Sequence, residues 1–98
     1  MDKSLYTIAE LVAKDGKIDE LKVILTDLAK ETRKEPGAVE YFFILDSEKK
    51  NTILSYEKWE NSEEEEKHWK TKHLKEAIEK MKDVLEVSPI VHKGNQII

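Results

Sequence analysis

Glu57, Trp59, His68, Trp69 and His73 crowd into one short stretch of this chain. Imidazole exchanges a proton near neutral pH, which makes His68 the first candidate for acid–base work. Glu57 alternates with Ser55 and Trp59, so the three share one face of any strand they form. Buried beside aromatic rings, the Glu57 carboxyl would be harder to ionise and could serve as a base; on an exposed face it would pair with a lysine. Trp59 and Trp69 each offer a flat apolar surface, suited to stacking on a planar substrate or to filling a core. Tyr41 and Tyr56 add phenol hydroxyls that could orient a substrate oxygen. His73 follows His68 by five residues. That spacing does not place two ligands on one helical face, so no paired metal site is expected.

The elements that must hold these residues follow from periodicity. Leu5 to Ala13 reads as a strand, with Leu5, Thr7, Ala9, Leu11 and Ala13 on one face and Tyr6, Ile8, Glu10 and Val12 on the other. Both faces are largely apolar, so cover is expected on both sides, and Glu10 needs a partner if buried. After a turn at Asp15-Gly16, the spacing of Ile18, Leu21, Leu25, Leu28 and Thr32 predicts an amphipathic helix over about 17–34. Glu35-Pro36-Gly37 ends it: proline biases Glu35 away from helical angles, and Gly37 permits a positive φ. Val39 to Leu45 is a second strand, Asp46 to Asn51 a polar connection of hairpin length, and Thr52 to Glu60 a third strand. Asn61 or Ser62 caps the next helix, and Ser62-x-x-Glu65 fits a capping box. That helix extends to about Lys82 with Leu74, Ala77, Ile78 and Met81 as its stripe. Its irregular phase before Lys72 allows a kink or a split into two helices. Val84 to Val91 is a fourth strand, at an edge or bulged because Pro89 has no N–H to donate. Gly94 to Ile98 is a short tail.

The order β-α-β-β-α-β, with right-handed crossovers, predicts a ferredoxin-like α+β domain spanning 1–98: a four-stranded antiparallel sheet with both helices on one face. Its other face would remain apolar and open, so a face-to-face homodimer is expected.

Composition narrows the function classes. A chain of 98 residues makes one domain with a modest core. The net charge is −4, with acids and bases intermingled, which argues against a nucleic-acid partner. The acidic run Glu63 to Glu66 precedes Lys70, Lys72, Lys75, Lys80 and Lys82, an order that suits the helix dipole and reads as a solvated helix. Without cysteine there is no thiol chemistry, disulfide or Cys-based metal site. No apolar run is long enough to span a membrane and no signal peptide is visible, so a cytoplasmic protein is expected.

At Glu57-x-Trp59-x-Asn61-Ser62, followed by His68 and His73, the chain resembles the antibiotic biosynthesis monooxygenase (ABM) domain. The Glu35-Pro36-Gly37 bend, Tyr41 and Ala9-Glu10 support the match over nearly the whole length. The resemblance implies a dimeric α+β barrel of ferredoxin-like subunits. It also implies one of several activities: cofactor-free oxygenation of quinol-like or polycyclic aromatic substrates, heme degradation, or processing of a small phosphorylated signal molecule. Heme-degrading members have an Asn in the first strand and a His late in the second helix as iron ligand; Ala9 and Ile78 stand at those positions here, so an iron ligand would have to come from His73 or His68 instead. Lys72 replaces the proline that often precedes the second histidine. The resemblance thus favours a cofactor-independent monooxygenase for a small aromatic or quinol-like substrate. His68 and Glu57 would be its catalytic groups, Trp59, Tyr41, His73 and Trp69 its substrate contacts, and no metal or cofactor would be needed. The rivals are a non-oxidative enzyme for a small polar metabolite, favoured by lysine or arginine around His68, and a non-catalytic ligand-binding or structural dimer, favoured by a filled pocket or by Glu57 and His68 facing solvent.

Overall fold

The computed structural model describes residues 2–98. The elements are β1 (Leu5–Val12), α1 (Ile18–Thr32), β2 (Ala38–Leu45), β3 (Thr52–Trp59), α2 (Ser62–Trp69), α3 (Lys72–Met81) and β4 (Ile90–Gly94). The strands form one antiparallel sheet in the order β2-β3-β1-β4, and the helices cover one of its faces. This is the ferredoxin-like α+β arrangement that the alternation of periods predicts.

Period two decides which strand residues meet the helices. On β1 these are Thr7 and Leu11, and on β3 they are Ile53, Ser55, Glu57 and Trp59, all buried. From α1, Leu21, Leu25 and Leu28 close down on this face and join Leu74, Ala77 and Met81 of α3 in the main core. A second cluster, Ala29, Tyr41 and Trp59, lies toward the far end of the sheet. The opposite face carries Ile8, Phe42 and Ile44, which are 41–50% exposed, and no element among the described residues covers it. Tyr56 stacks on Phe42 there, with ring centroids 4.9 Å apart. Glu10 is on that face too, paired with Lys49 at 3.3 Å, which answers its need for a partner.

Three local expectations are corrected. First, the fourth strand is not Val84 to Val91 but Ile90–Gly94. Pro89 has no N–H for the ladder, so pairing with β1 begins after it and runs into the expected tail, from Glu10↔Ile90 to Tyr6↔Gly94. Val84 is instead a core residue, and Leu85 makes only an isolated bridge to Ala13. Second, Gly37 does not take a positive φ; Gly16 (79°) and Asn51 (58°) do. The side chain of Glu64 lies so close to Gly37 that a Cβ would collide with it, and this close approach is what requires glycine there. Third, α2 is capped by Asn61, whose side chain accepts from Glu64 N–H at 2.9 Å. The Ser62–Glu65 capping box is not formed, because the Glu65 side chain points to the sheet instead.

The irregular phase before Lys72 resolves as a real break. α2 stops at Trp69, Thr71 takes extended angles (φ −71°, ψ 150°), and α3 starts anew. The Thr71 hydroxyl works in both directions, donating to His68 C=O at 2.7 Å and accepting from Leu74 N–H at 3.3 Å. It therefore ends one helix and caps the next. Among the described residues, no helix is long and apolar enough to cross a membrane.

Candidate functional site

Between the helix-facing side of the sheet and the three helices lies a cavity of about 290 Å³. Thr7, Ala9, Ser55 and Glu57 form its floor. Leu25 and Leu28 of α1, Leu74, Ile78 and Met81 of α3, and Tyr41 and Phe43 of β2 make its apolar walls. His68 and Trp69 bring the end of α2 to it, and Pro89 and Val91 close the edge beside β4. No lysine or arginine lines it.

Glu57 is 6% exposed. Ser55 Oγ donates to its Oε2 at 2.8 Å and Trp59 Nε1 donates to its Oε1 at 3.1 Å. Ser55 is itself fixed, accepting from Ala9 N–H at 2.9 Å. Burial pushes the Glu57 carboxyl up to about 7, against the pull of these two hydrogen bonds and with the charge of Glu65 adding to the rise. The group is therefore balanced between acid and base near neutral pH.

His68 is 2% exposed, and its Nδ1 meets Glu35 Oε2 at 2.8 Å. Burial lowers its basicity more than the bond to Glu35 and that residue's charge raise it, so the ring is neutral at pH 7. Its faces pack on Trp59 (centroids 4.7 Å) and near Tyr41 (5.6 Å). The Tyr41 phenol is pushed well above its ordinary range by burial first and then by the charge of Glu57, so it stays a hydrogen-bond donor.

Of the residues singled out in the sequence, Tyr41, Glu57, His68 and Trp69 share the cavity wall. Trp59 and His73 do not. Trp59 is fully buried behind the wall, bracing Glu57 and His68 from the core side. His73 reaches Glu35 Oε2 at 2.7 Å from α3. Tyr56 lies on the opposite sheet face, away from the site. Trp69 is 39% exposed, and its indole N–H donates to Glu65 Oε2 at 2.7 Å.

Two carboxylates escaped the sequence reading. Glu35 was legible only as a helix stop; yet a charged residue at a chain reversal, just before Pro36, is where a backbone bend can turn a side chain inward. Glu65 was one of four consecutive glutamates. It is 3% exposed and is satisfied by Thr7 Oγ1, Trp69 Nε1 and Lys93 Nζ at 3.2, 2.7 and 3.1 Å. Its available signal was helical phase, since Glu65, His68 and Trp69 are spaced i, i+3, i+4.

The spacing argument against pairing the histidines assumed one continuous helix. The break at Thr71 brings both rings to Glu35, and the three donor atoms lie within 4.8 Å of one another. As found, each nitrogen is at hydrogen-bond distance from the carboxylate oxygen.

The profile of the family described as "Antibiotic biosynthesis monooxygenase" matches residues 4–80. The chain belongs to the antibiotic biosynthesis monooxygenase family. A curated relative, the uncharacterized protein sll1783 of Synechocystis sp., is 27% identical over 84 residues, covering 86% of this chain. The matched stretch is 57% of that relative's own length. Solved structures share the ABM fold across the whole chain. PA3566 of Pseudomonas aeruginosa superposes with a TM-score of 0.90 at 21% identity, covering 100% of this chain and 98% of its own. A conserved protein of Methanosarcina mazei Go1 gives 0.93 at 20%, covering 98% and 95%. A structure titled as an antibiotic biosynthesis monooxygenase gives 0.89 at 20%, covering 96% and 99%. At these identities the likeness establishes the fold alone.

Proposed function

We propose that the protein is a cofactor-independent monooxygenase for a small hydroxylated aromatic substrate. The observation that carries this reading is the meeting of Glu57 and His68 in one apolar cavity. A carboxyl balanced near 7 and a neutral imidazole are two proton acceptors, held where a planar ring would fit. The cavity is nearly twice the roughly 150 Å³ known to accept one benzene, room for one or two fused rings.

In this chemistry His68 or Glu57 removes the phenolic proton and the electron pair stays on the ring as a carbanion. The carbanion adds dioxygen. Cleavage of the O–O bond leaves one oxygen on the ring carbon as a carbonyl and releases the other as water. The substrate supplies all the electrons, so the reaction requires no flavin, heme or metal.

The alternatives fare less well. A phosphorylated or carboxylated metabolite would call for lysine or arginine on the wall, and none is there. A purely structural protein has no need of two titratable groups facing an open cavity. Heme degradation fits poorly: Ala9 and Ile78, at the positions expected for an asparagine and an iron-ligating histidine, both line the cavity and neither can ligate iron. The open sheet face bearing Ile8, Phe42 and Ile44 supports a homodimer built back to back through it.

The test is oxygen uptake by the purified protein with a panel of reduced quinols. Consumption above the uncatalysed rate, lost in both His68→Ala and Glu57→Gln, supports the proposal. Turnover that persists under strict anaerobiosis would replace it with a non-oxidative reaction.

A further inference from the structure

Glu35 is on no wall of the cavity, yet one of its oxygens touches the cavity histidine. Oε2 sits between two rings, 2.8 Å from His68 Nδ1 and 2.7 Å from His73 Nε2. Its side chain is 13% exposed and His68's only 3%, so water competes little for these bonds. A carboxylate can only accept, which puts the hydrogens on the nitrogens. For a neutral His68, a hydrogen on Nδ1 means a lone pair on Nε2. Among the described residues, no group hydrogen-bonds that nitrogen. Glu57, by contrast, already accepts a hydrogen bond at each oxygen.

We infer that Glu35 is the positioning residue that locks His68 as the Nδ1–H tautomer, leaving Nε2 free to take the substrate's proton, and that His73 clamps Glu35 in place. This rests on the oxygenase reading of the cavity. The step it describes is balanced: the phenolic proton moves to Nε2, the O–H electron pair stays on the substrate, and the resulting imidazolium is stabilised by the adjacent negative charge of Glu35. Three elements converge to make this possible. The stop before Pro36 supplies Glu35, the end of α2 supplies His68, and the Thr71 break lets α3 turn His73 back toward them.

The inference is tested by two-bond ¹H–¹⁵N correlation spectra of the histidine rings near neutral pH, which identify each tautomer directly. The wild-type protein is expected to show His68 protonated at Nδ1 and bare at Nε2. Glu35→Ala should move it toward the Nε2–H form preferred by a free histidine side chain, and His73→Ala should give a mixture. With an active substrate, Glu35→Ala should lower kcat by about 10²-fold while KM changes little, since the residue does not touch substrate. Glu35→Gln keeps an acceptor oxygen, so it should retain the tautomer but still lose rate. A wild-type His68 protonated at Nε2 would overturn the inference, and that measurement depends on no variant folding. An unchanged tautomer in Glu35→Ala would overturn it as well. The Nδ1–H tautomer in a protein that consumes no oxygen with any quinol would sustain Glu35's structural role and defeat the oxygenase reading alone.

Discussion

Trp59 donates its indole N–H to Glu57 Oε1 across 3.1 Å, from a side chain with no solvent exposure. The bond makes a core residue part of the site's electrostatics, because it is one of two hydrogen bonds that restrain the rise of the Glu57 carboxyl. Replacing Trp59 by Phe keeps an aromatic ring and removes the donor. Glu57 should then titrate above its present value of about 7. The fold should lose about 1–3 kcal/mol, for the missing bond and the smaller ring. Carbon-13 titration of the Glu57 carboxyl and a urea melt read the two effects separately.

The burial that raises Glu57 makes its ionised form a burden on the fold. The carboxyl is protonated in both folded and unfolded chains below 4.5, and stability falls as pH rises from there through about 7. The accumulated cost is on the order of 3 kcal/mol. Glu57→Gln, which cannot ionise, escapes it. Denaturation at about pH 4 and about pH 8 should show the variant gaining on the wild type by a few kcal/mol between the two; the cost of about 1 kcal/mol for setting an amide N–H₂ against a donor lowers the variant equally at both and cancels from that gain. A difference between variant and wild type that does not change with pH would contradict the burial assigned to this carboxyl.

Gly37 is held to glycine by the side chain of Glu64. Gly37→Ala should push the start of α2 away from the bend and cost about 1–3 kcal/mol, the range for overpacking. Thermal melts should record a lower Tm. Since Gly37 lies two residues from Glu35, the same variant should broaden the His68 ring resonances.

The fold was legible because most of its segments have one clear period. Leu21, Leu25 and Leu28 could only be a helix face, and Ser55, Glu57 and Trp59 could only share a strand face. The misreadings arose where a single residue overrode the pattern. Val84 to Val91 is apolar enough for a strand, but Pro89 delays the ladder and the turn before it sends Val84 into the core. The cavity was half legible: His68 and Glu57 were recognisable by type. Glu35 was not, since it joins His68 and His73 only through contacts 33 and 38 residues apart in the chain. The shared oxygen also depends on the Thr71 break, which the irregular phase allowed without placing. Trp59, at the end of a strand, read either as a stacking surface or as a core residue, and it is the core residue. Its burial follows from Tyr41 and His68 packing over it, which no local pattern reports.

The uncovered sheet face carries its own expectation. Phe42 and Tyr56 stack there, beside Ile8 and Ile44. If copies pair through this face, as proposed above, the wild type should sediment as a dimer at equilibrium and Phe42→Asp, which would place a charge in the interface, should sediment as a monomer. A wild-type protein that is monomeric at micromolar concentration would contradict the dimer.

The proposed chemistry has dioxygen reacting directly with a substrate deprotonated in the cavity. Its most direct test is turnover of a reduced quinol under ¹⁸O₂, with mass analysis of the product and with His68→Ala in parallel. The product should carry a single labelled oxygen, with none acquired from labelled water at the new carbonyl when exchange is controlled, and His68→Ala should give no labelled product above the uncatalysed background. Label arriving from water, or equal incorporation by the variant, would contradict it.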